Sequence, residues 1–226
     1  KDMNLLEIIK RVHEVQGIER IRLSSIEPGA ITKQFVEEIS KLPKVCHHFH
    51  LSLQSGSDTV LKRMKRKYTT AQYREAVKVL KEHLPRVAFT TDIIVGFPGE
   101  TKEEFNETVA FIKEIGFSHI HIFPYSIRKG TPAATMENQV SPQTKGKRVK
   151  ILTAVAEDLQ NDVLKQHLGQ TLDVLIEHNH SNNIYEGYTN NYIKVRTKCG
   201  KDCTNLVMKI DITSVMDDVL EGKVVG

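Results

Sequence analysis

No apolar run in the sequence approaches the roughly 18 residues that would suggest a bilayer span, and no signal peptide is visible. Cysteine is scarce. Cys46, Cys199 and Cys203 are too few for a disulfide framework, so a reducing, cytoplasmic setting without a membrane is the expectation. A strong charge of one sign is also missing. The 32 Lys and Arg residues stand against 28 Asp and Glu, and a net charge of +4 does not by itself imply RNA. What is present is a globular composition. An apolar fraction of 39% supports a real core, and 226 residues allow one large domain or one medium plus one small domain.

The chain opens on a helical pattern, with Leu5, Leu6, Ile8, Ile9 and Val12 at helix spacing. Short apolar strands then alternate with helices. Strands are expected at 21–26, 49–53, 87–95 and 118–123, and helices at 32–41, 58–64, 70–83 and 102–115. Such alternation predicts parallel strands joined by right-handed crossovers. Thr101 with Glu104 has the capping-box pattern, and Gly116 suits a helix C-cap. A loop holding Gly130, Pro132 and Pro142 leads to a long helix over 144–166, ended by Gly169.

From Gln170 the character changes. Segments 171–177, 185–189, 192–197 and 206–213 are strand-like, with turns at Asn182-Asn183, Asn190-Asn191 and Cys199-Gly200. The expected fold class is α/β: a partial β/α (TIM-like) barrel with a trailing helix over residues 1–168, then a small all-β, OB-like barrel over 169–226. The first part shows four βα units, the last strand included, and a partial barrel leaves a sheet edge unpaired.

Two segments carry the chemistry. In the first, the strand His50-Leu51-Ser52-Leu53 runs into Gln54-Ser55-Gly56-Ser57 and then into a basic helix. This brings a carboxamide, hydroxyls, backbone donors and a cation to one strand end, where small anionic or zwitterionic ligands bind in α/β folds. The second is Asp92-Ile93-Ile94-Val95-Gly96-Phe97-Pro98-Gly99-Glu100-Thr101, a strand entering a Gly-Pro-Gly turn and a helix start. Active sites of β/α barrels lie at the C-terminal strand ends. Glu27, Gln54, Arg66 and Asp92 fall near those ends, with Arg66 on the helical stretch after the second strand. Each has a blander reading. Glu27, before Pro28, also suits a helix cap, and Arg66 also suits one more surface cation in its run. Asp92 inside an apolar strand needs a partner, because a buried charge is costly.

These segments, in this order and spacing, resemble the radical S-adenosylmethionine (SAM) superfamily, in particular the methylthiotransferases that modify tRNA. The resemblance extends from about Ile18 to Gly226. It implies that Arg66 holds the SAM carboxylate, Asp92 the ribose, with Gln54 nearby and Glu27 near the amino group or the cluster end. It implies that Gly96, Pro98 and Gly99 shape a turn that lets cofactor approach the backbone, and that Phe123-Pro124-Tyr125 lies beside the adenine. Many members have proline where Ser52 stands, which puts only local strand geometry in doubt.

The family's first four-iron–four-sulfur cluster needs a C-x-x-x-C-x-x-C loop, and no such spacing occurs here. A second cluster belongs to a further domain. The sequence is therefore expected to be a C-terminal portion that binds SAM and tRNA but is inactive alone, with both 4Fe-4S clusters and an electron donor belonging to the parent enzyme.

The phrases Arg22-Leu23-Ser24-Ser25-Ile26-Glu27-Pro28 and His121-Ile122-Phe123-Pro124-Tyr125-Ser126-Ile127-Arg128-Lys129-Gly130-Thr131-Pro132-Ala133-Ala134 resemble the branch acting on threonylcarbamoyladenosine beside the anticodon. Gly187-Tyr188-Thr189-Asn190-Asn191-Tyr192-Ile193-Lys194-Val195 resembles the TRAM domain, an RNA-binding module, in which Tyr188, Tyr192, Lys194 and Arg196 are the residues that could stack on and pair with RNA. From Gln170 onward, however, six basic side chains face eight acidic ones, so charge does not advertise RNA binding. Two other readings stay open: a radical SAM enzyme of another reaction class, such as a porphyrinogen oxidase, and a non-catalytic RNA-binding protein on a degenerate barrel.

Other groups have the chemistry for metal or phosphate. His48 and His50 share a strand face, as do His119 and His121, which reads either as a metal site or, more simply, as polar lining of the barrel. Cys199-Gly200-Lys201-Asp202-Cys203 offers two thiolates, short of a tetrahedral set, and reads as a hairpin turn. The basic runs at 62–67 and at Lys145, Lys147, Arg148 and Lys150 either contact phosphates or line solvated helix faces.

Overall fold

The computed structural model describes residues 3–180 and 182–225. Its first part alternates helices and strands: α1 (Leu5–Glu14), β1 (Ile21–Ile26), α2 (Lys33–Ile39), β2 (Val45–Leu51), α3 (Asp58–Arg63), α4 (Thr70–His83), β3 (Ala88–Val95), α5 (Lys102–Ile115), β4 (His119–Pro124) and the long α6 (Pro142–Lys165). The four strands form one parallel sheet in the order β1-β2-β3-β4, leaving β1 and β4 as its edges.

The strands alternate in what they present. Leu23, Phe49, Leu51, Phe89, Ile93, Val95 and Ile120 are buried against the helices. Their neighbours Ser24, His48, His50, Thr90, Asp92, His119 and His121 face a cavity on the other side. A strand has a side-chain period of two, so this pattern gives the sheet an apolar helix face and a polar open face. The helices start where their caps dictate. Thr101 accepts from Glu104 N at 3.2 Å while Glu104 accepts from Thr101 N at 2.9 Å, and Gly116 takes the left-handed C-cap conformation at φ 74°.

The second part comprises β5 (Thr171–Asn179), β6 (Ile184–Thr189), β7 (Lys194–Lys198), β8 (Val207–Met216) and β9 (Val219–Val224), closed into a barrel in the order β5-β6-β7-β9-β8. Three sequence expectations need correction here. A fifth strand, β9, has no counterpart in the strand-like segments of the sequence, and it closes the barrel by pairing parallel to β7 and antiparallel to β8. The strand expected from Tyr192 begins at Lys194, because Tyr192 itself sits in a left-handed turn at φ 62°. The segment from Cys199 to Cys203 is not a hairpin turn. β7 and β8 are not paired with each other, so this loop crosses to the far side of β9, and both cysteines are buried in the barrel core.

The small barrel docks on the N-terminal ends of the sheet strands. Arg20 donates to the carbonyls of Tyr188 (2.7 Å) and Asp173 (3.0 Å). The amide of His47 donates to Asn190 Oδ1 at 3.2 Å, and Asn191 Nδ2 donates to the Arg86 carbonyl at 3.1 Å. Leu164 of α6 and Ala88 of β3 belong to the barrel's own apolar cluster.

Two glycines give opposite predictions. At Gly187 in β6 an added Cβ would lie 2.0 Å from the Leu175 carbonyl oxygen, whereas at Gly146 in α6 it would meet nothing within 4 Å. In urea unfolding, Gly187→Ala should cost about 2 kcal/mol or more through overpacking against backbone. Gly146→Ala should stabilise by about 0.5–1 kcal/mol, since alanine is the better helix former.

Candidate cofactor site at the strand ends

Gln54 is set beside Asp92 by backbone pairing that continues past the end of β2. Its N–H donates to the Asp92 carbonyl and its own carbonyl accepts from Ile94 N–H, both at 2.9 Å. The Leu53 N–H is taken by the Thr91 hydroxyl at 3.0 Å. Gln54 adopts φ 68°, unusual for a residue with a Cβ, and such strain persists only where neighbours over-determine it. The two side chains open onto a cleft of about 500 Å³, whose apolar wall includes Ile94, Phe123 and Tyr125. Phe123 is 51% exposed. A carboxylate and a carboxamide opposite a free aromatic face can hold a nucleoside, with hydroxyls donated to the acid and a base against the ring.

Glu27 and Arg66 form a separate pair, 4.0 Å apart and both partly exposed, outside the walls of that cleft. Arg66 is not on a helix. It follows the turn that ends α3, after Lys65 in the left-handed region at φ 56°, and its N–H returns to the Leu61 carbonyl at 2.9 Å. Glu27 precedes the short turn at Pro28 without capping it through its side chain. Tyr68 connects the two pairs. Burial pushes its phenol up to about 12 against the opposing charge of Arg66, and its hydroxyl donates to the carbonyl of Leu53, next to Gln54, at 3.1 Å.

The polar groups of the Gln-Ser-Gly-Ser turn, apart from Gln54, do not face a ligand. Ser55 and Ser57 are each 1% exposed. The Ser55 hydroxyl and the Gly56 N–H both go to the Thr108 hydroxyl of α5, at 3.2 and 3.1 Å, and Ser57 pairs with Thr59 at 3.0 Å. A Cβ on Gly56 would stand 2.8 Å from Phe111 Cβ, so this glycine serves helix packing.

The second turn is likewise filled from within. A Cβ on Gly96 would lie 2.5 Å from Lys145 Cγ, so α6, rather than a cofactor, makes the close approach. Lys145 Nζ donates to the Tyr125 carbonyl at 2.9 Å. Arg148, 8% exposed, forms a buried ion pair with Glu100, whose carboxylate also accepts from Gly96 N–H at 2.8 Å. Burial raises the Glu100 carboxyl, with the Gly96 N–H and Arg148 opposing it. Two of the four cations read as a phosphate-binding or solvated cluster therefore clamp the turn behind the cleft. Glu100 had no sequence signal beyond its place after Pro98-Gly99.

The residues expected to meet RNA are engaged within the protein. Tyr188 and Tyr192 stack at 4.4 Å, with the Arg22 guanidinium 4.0 Å from the Tyr192 centroid. Lys194 and Arg196 pair with Glu186 at 3.6 and 2.9 Å. The histidines of the open face line a second cavity of about 710 Å³ between sheet and barrel. Burial pushes His119 down and His48 down to about 4. Among the described residues, no group of three His, Cys, Asp or Glu side chains is placed to hold a metal.

Residues 2–112 match the family model of the radical SAM superfamily. The threonylcarbamoyladenosine tRNA methylthiotransferase MtaB of Bacillus subtilis is 42% identical over 230 residues, covering 100% of this chain and 51% of that protein. The chain belongs to the radical SAM methylthiotransferase family. A tRNA-2-methylthio-N(6)-dimethylallyladenosine synthase of Caldicellulosiruptor saccharolyticus is 37% identical, covering 97% of this chain and 47% of that one. The chain thus spans about half the length of the curated relatives it matches. Among solved structures, coproporphyrinogen III oxidase (HemN) from Escherichia coli superposes with a TM-score of 0.57 at 13% identity, over 83% of this chain and 52% of that one, a likeness of fold.

The Glu100–Arg148 pair yields a direct test. Arg148→Met leaves a carboxylate buried behind the turn, and breaking a buried pair from one side costs about 3–5 kcal/mol. Chemical unfolding should show a loss of that size, whereas Lys147→Met, at an exposed position on the same helix, should be near neutral.

Proposed function

We propose that this chain is the SAM-holding and tRNA-holding part of an enzyme that adds a methylthio group to threonylcarbamoyladenosine beside the anticodon of tRNA. The observation that carries the reading is the Gln54–Asp92 cleft, in a chain matched along its whole length by the Bacillus subtilis relative. The cleft fits SAM. Asp92 accepts from the ribose hydroxyls, Gln54 offers both donor and acceptor, and Phe123 provides a surface for the adenine. Beyond the cleft walls, the Glu27–Arg66 pair is read as the place for the remaining SAM groups, the Arg66 fork for the carboxylate and Glu27 for the amino group.

SAM bound beside a reduced iron–sulfur cluster supplies a radical able to remove hydrogen from an adenine carbon, and a further SAM supplies the methyl group. The residues of this chain bind and orient SAM for that chemistry. They do not fit a cluster. Cys46, Cys199 and Cys203 are all buried, and Cys46 lies on β2 away from the barrel core that encloses the other two. Cluster ligation and the docking of an electron donor are assigned to the remainder of a longer protein.

The small barrel is read as a TRAM-type module for tRNA. It docks at the N-terminal strand ends, while the cleft lies at the C-terminal ends. Along β3, Ala88 joins the barrel's apolar cluster and Asp92, four residues on, lines the cleft, about 13 Å away at 3.3 Å per residue. The barrel accordingly grips the body of the tRNA while the reacting base reaches the other end of the sheet. The reading places the enzyme in the cytoplasm. Among the described residues, no helix is long and apolar enough to cross a membrane.

The test is nucleoside analysis of tRNA from cells lacking the gene. Methylthio-threonylcarbamoyladenosine should disappear, return with the wild-type gene, and fail to return with Asp92→Ala. Its persistence in the deleted strain would end the substrate assignment. Loss of the methylthio-dimethylallyl nucleoside in its place would move the chain to the sister activity.

A further inference from the structure

The open face of the sheet carries a row of polar contacts that cofactor binding alone does not require. Thr90 Oγ1 on β3 meets two rings of β2 at once, 3.1 Å from His48 Nε2 and 3.0 Å from His50 Nδ1. Beyond His50, its Nε2 stands 3.4 Å from Asp92 Oδ2. At the other end His48 packs on Tyr192 of the small barrel, with ring centroids 4.9 Å apart. His48 is 1% exposed, and its Nδ1 is buried without a hydrogen-bond partner. Asp92 lies at the junction of the two cavities and contributes to the walls of both.

The proton positions follow from counting. A threonine hydroxyl has one proton, so it donates to one ring nitrogen and accepts from the other. A carboxylate only accepts, so of the two His50 tautomers the one protonated on Nε2 suits the 3.4 Å approach to Asp92 Oδ2, an ion-pair contact rather than an aligned hydrogen bond. In the neutral ring, Nδ1 is then bare and takes the Thr90 proton. The Thr90 oxygen in turn accepts from Nε2–H of His48. That leaves the bare lone pair of His48 Nδ1 as the orphaned atom. The opposite order would bury an orphaned N–H, the rarer outcome in proteins.

We propose that Thr90 and His50 are positioning residues for Asp92, holding one carboxylate oxygen through a fixed His50 tautomer so that the other is aimed into the cleft. The far end of the row rests on Tyr192, which makes the docked barrel part of the device. The proposal rests on the reading that Asp92 holds SAM, and its two arms separate the two claims.

The first arm is long-range proton–nitrogen correlation spectroscopy of the imidazole rings in this chain at neutral pH. His48 and His50 should both carry their proton on Nε2. Thr90→Val, close in shape but without the hydroxyl, should release His50 to a mixture of tautomers, and Thr90→Ser should preserve the wild-type pattern. A wild-type His50 protonated on Nδ1, or a Thr90→Val spectrum unchanged at His50, overturns the proposal.

The second arm uses the natural full-length enzyme. Thr90→Val should raise the KM for SAM by about fivefold, the scale of one lost net hydrogen bond. Its kcat should stay within about twofold, as expected when binding rather than chemistry is touched, and Thr90→Ser should restore KM. If Asp92→Ala raises KM and Thr90→Val does not, the positioning role is wrong while the cofactor reading stands. If Asp92→Ala leaves KM unchanged, the cofactor reading falls and the proposal falls with it.

Discussion

The site depends on one piece of backbone, the pairing of Gln54 with β3 beyond the end of β2. Ordinary strand geometry would let β2 and β3 diverge once their ladder ended. The two bonds from Gln54 to Asp92 and Ile94 extend the ladder and force the chain into a left-handed step. That conformation costs about 1–2 kcal/mol for a residue with a Cβ. The bonds of Gln54 itself, the Thr91 hydroxyl on Leu53 N–H and the Tyr68 hydroxyl on the Leu53 carbonyl together offset it. Strain stored there places an amide beside a carboxylate, at the end of the sheet where a ligand can reach both.

The rest of the polar inventory around this step supports it from behind. The serines of the turn are turned into α5, which locks the start of α3 against the Thr108 hydroxyl. The Gly-Phe-Pro-Gly-Glu turn is held by α6 through Lys145 and the Glu100–Arg148 pair. Both turns are rich in small and hydroxyl residues, a composition that suits ligand binding and close packing equally. The structure divides them: one carboxamide and one carboxylate open onto the cleft, and the remainder fixes their place.

The difference between what was legible and what was not follows the range of the interactions. The four strands, their helices and the Thr101–Glu104 cap rest on local periodicity and local hydrogen bonds, and they stand close to where the sequence places them. Gln54 and Asp92 stand out in the sequence as polar residues just past one apolar strand and within another, and the structure brings them to one cleft. The burial of Arg148, the capture of Lys145 by the second turn and the stacking of Tyr192 on Arg22 join residues tens of positions or more apart, and nothing near them in sequence announces the partner. The crossing loop from Cys199 to Cys203 differs from the expected hairpin for the same reason. A Cys-Gly turn between two strands looks alike whether the strands pair with each other or with a third, and β9, which intervenes, comes later in the chain.

A carboxylate in the middle of an apolar strand would be untenable on the helix side of this sheet, where Ile93 and Val95 are fully buried. The alternation of β3 puts Asp92 on the open face, its side chain 35% exposed and near a histidine, where the carboxyl group keeps access to water. The same alternation places Thr90 two residues earlier on that face and Ile94 two residues later. One strand thus supplies, in sequence, a hydroxyl that orders the histidines, an acid at the junction of two cavities and an apolar residue in the cleft wall. The barrel-covered end of that face and its open end thus differ in what they present, and the difference is written in every second residue of β3.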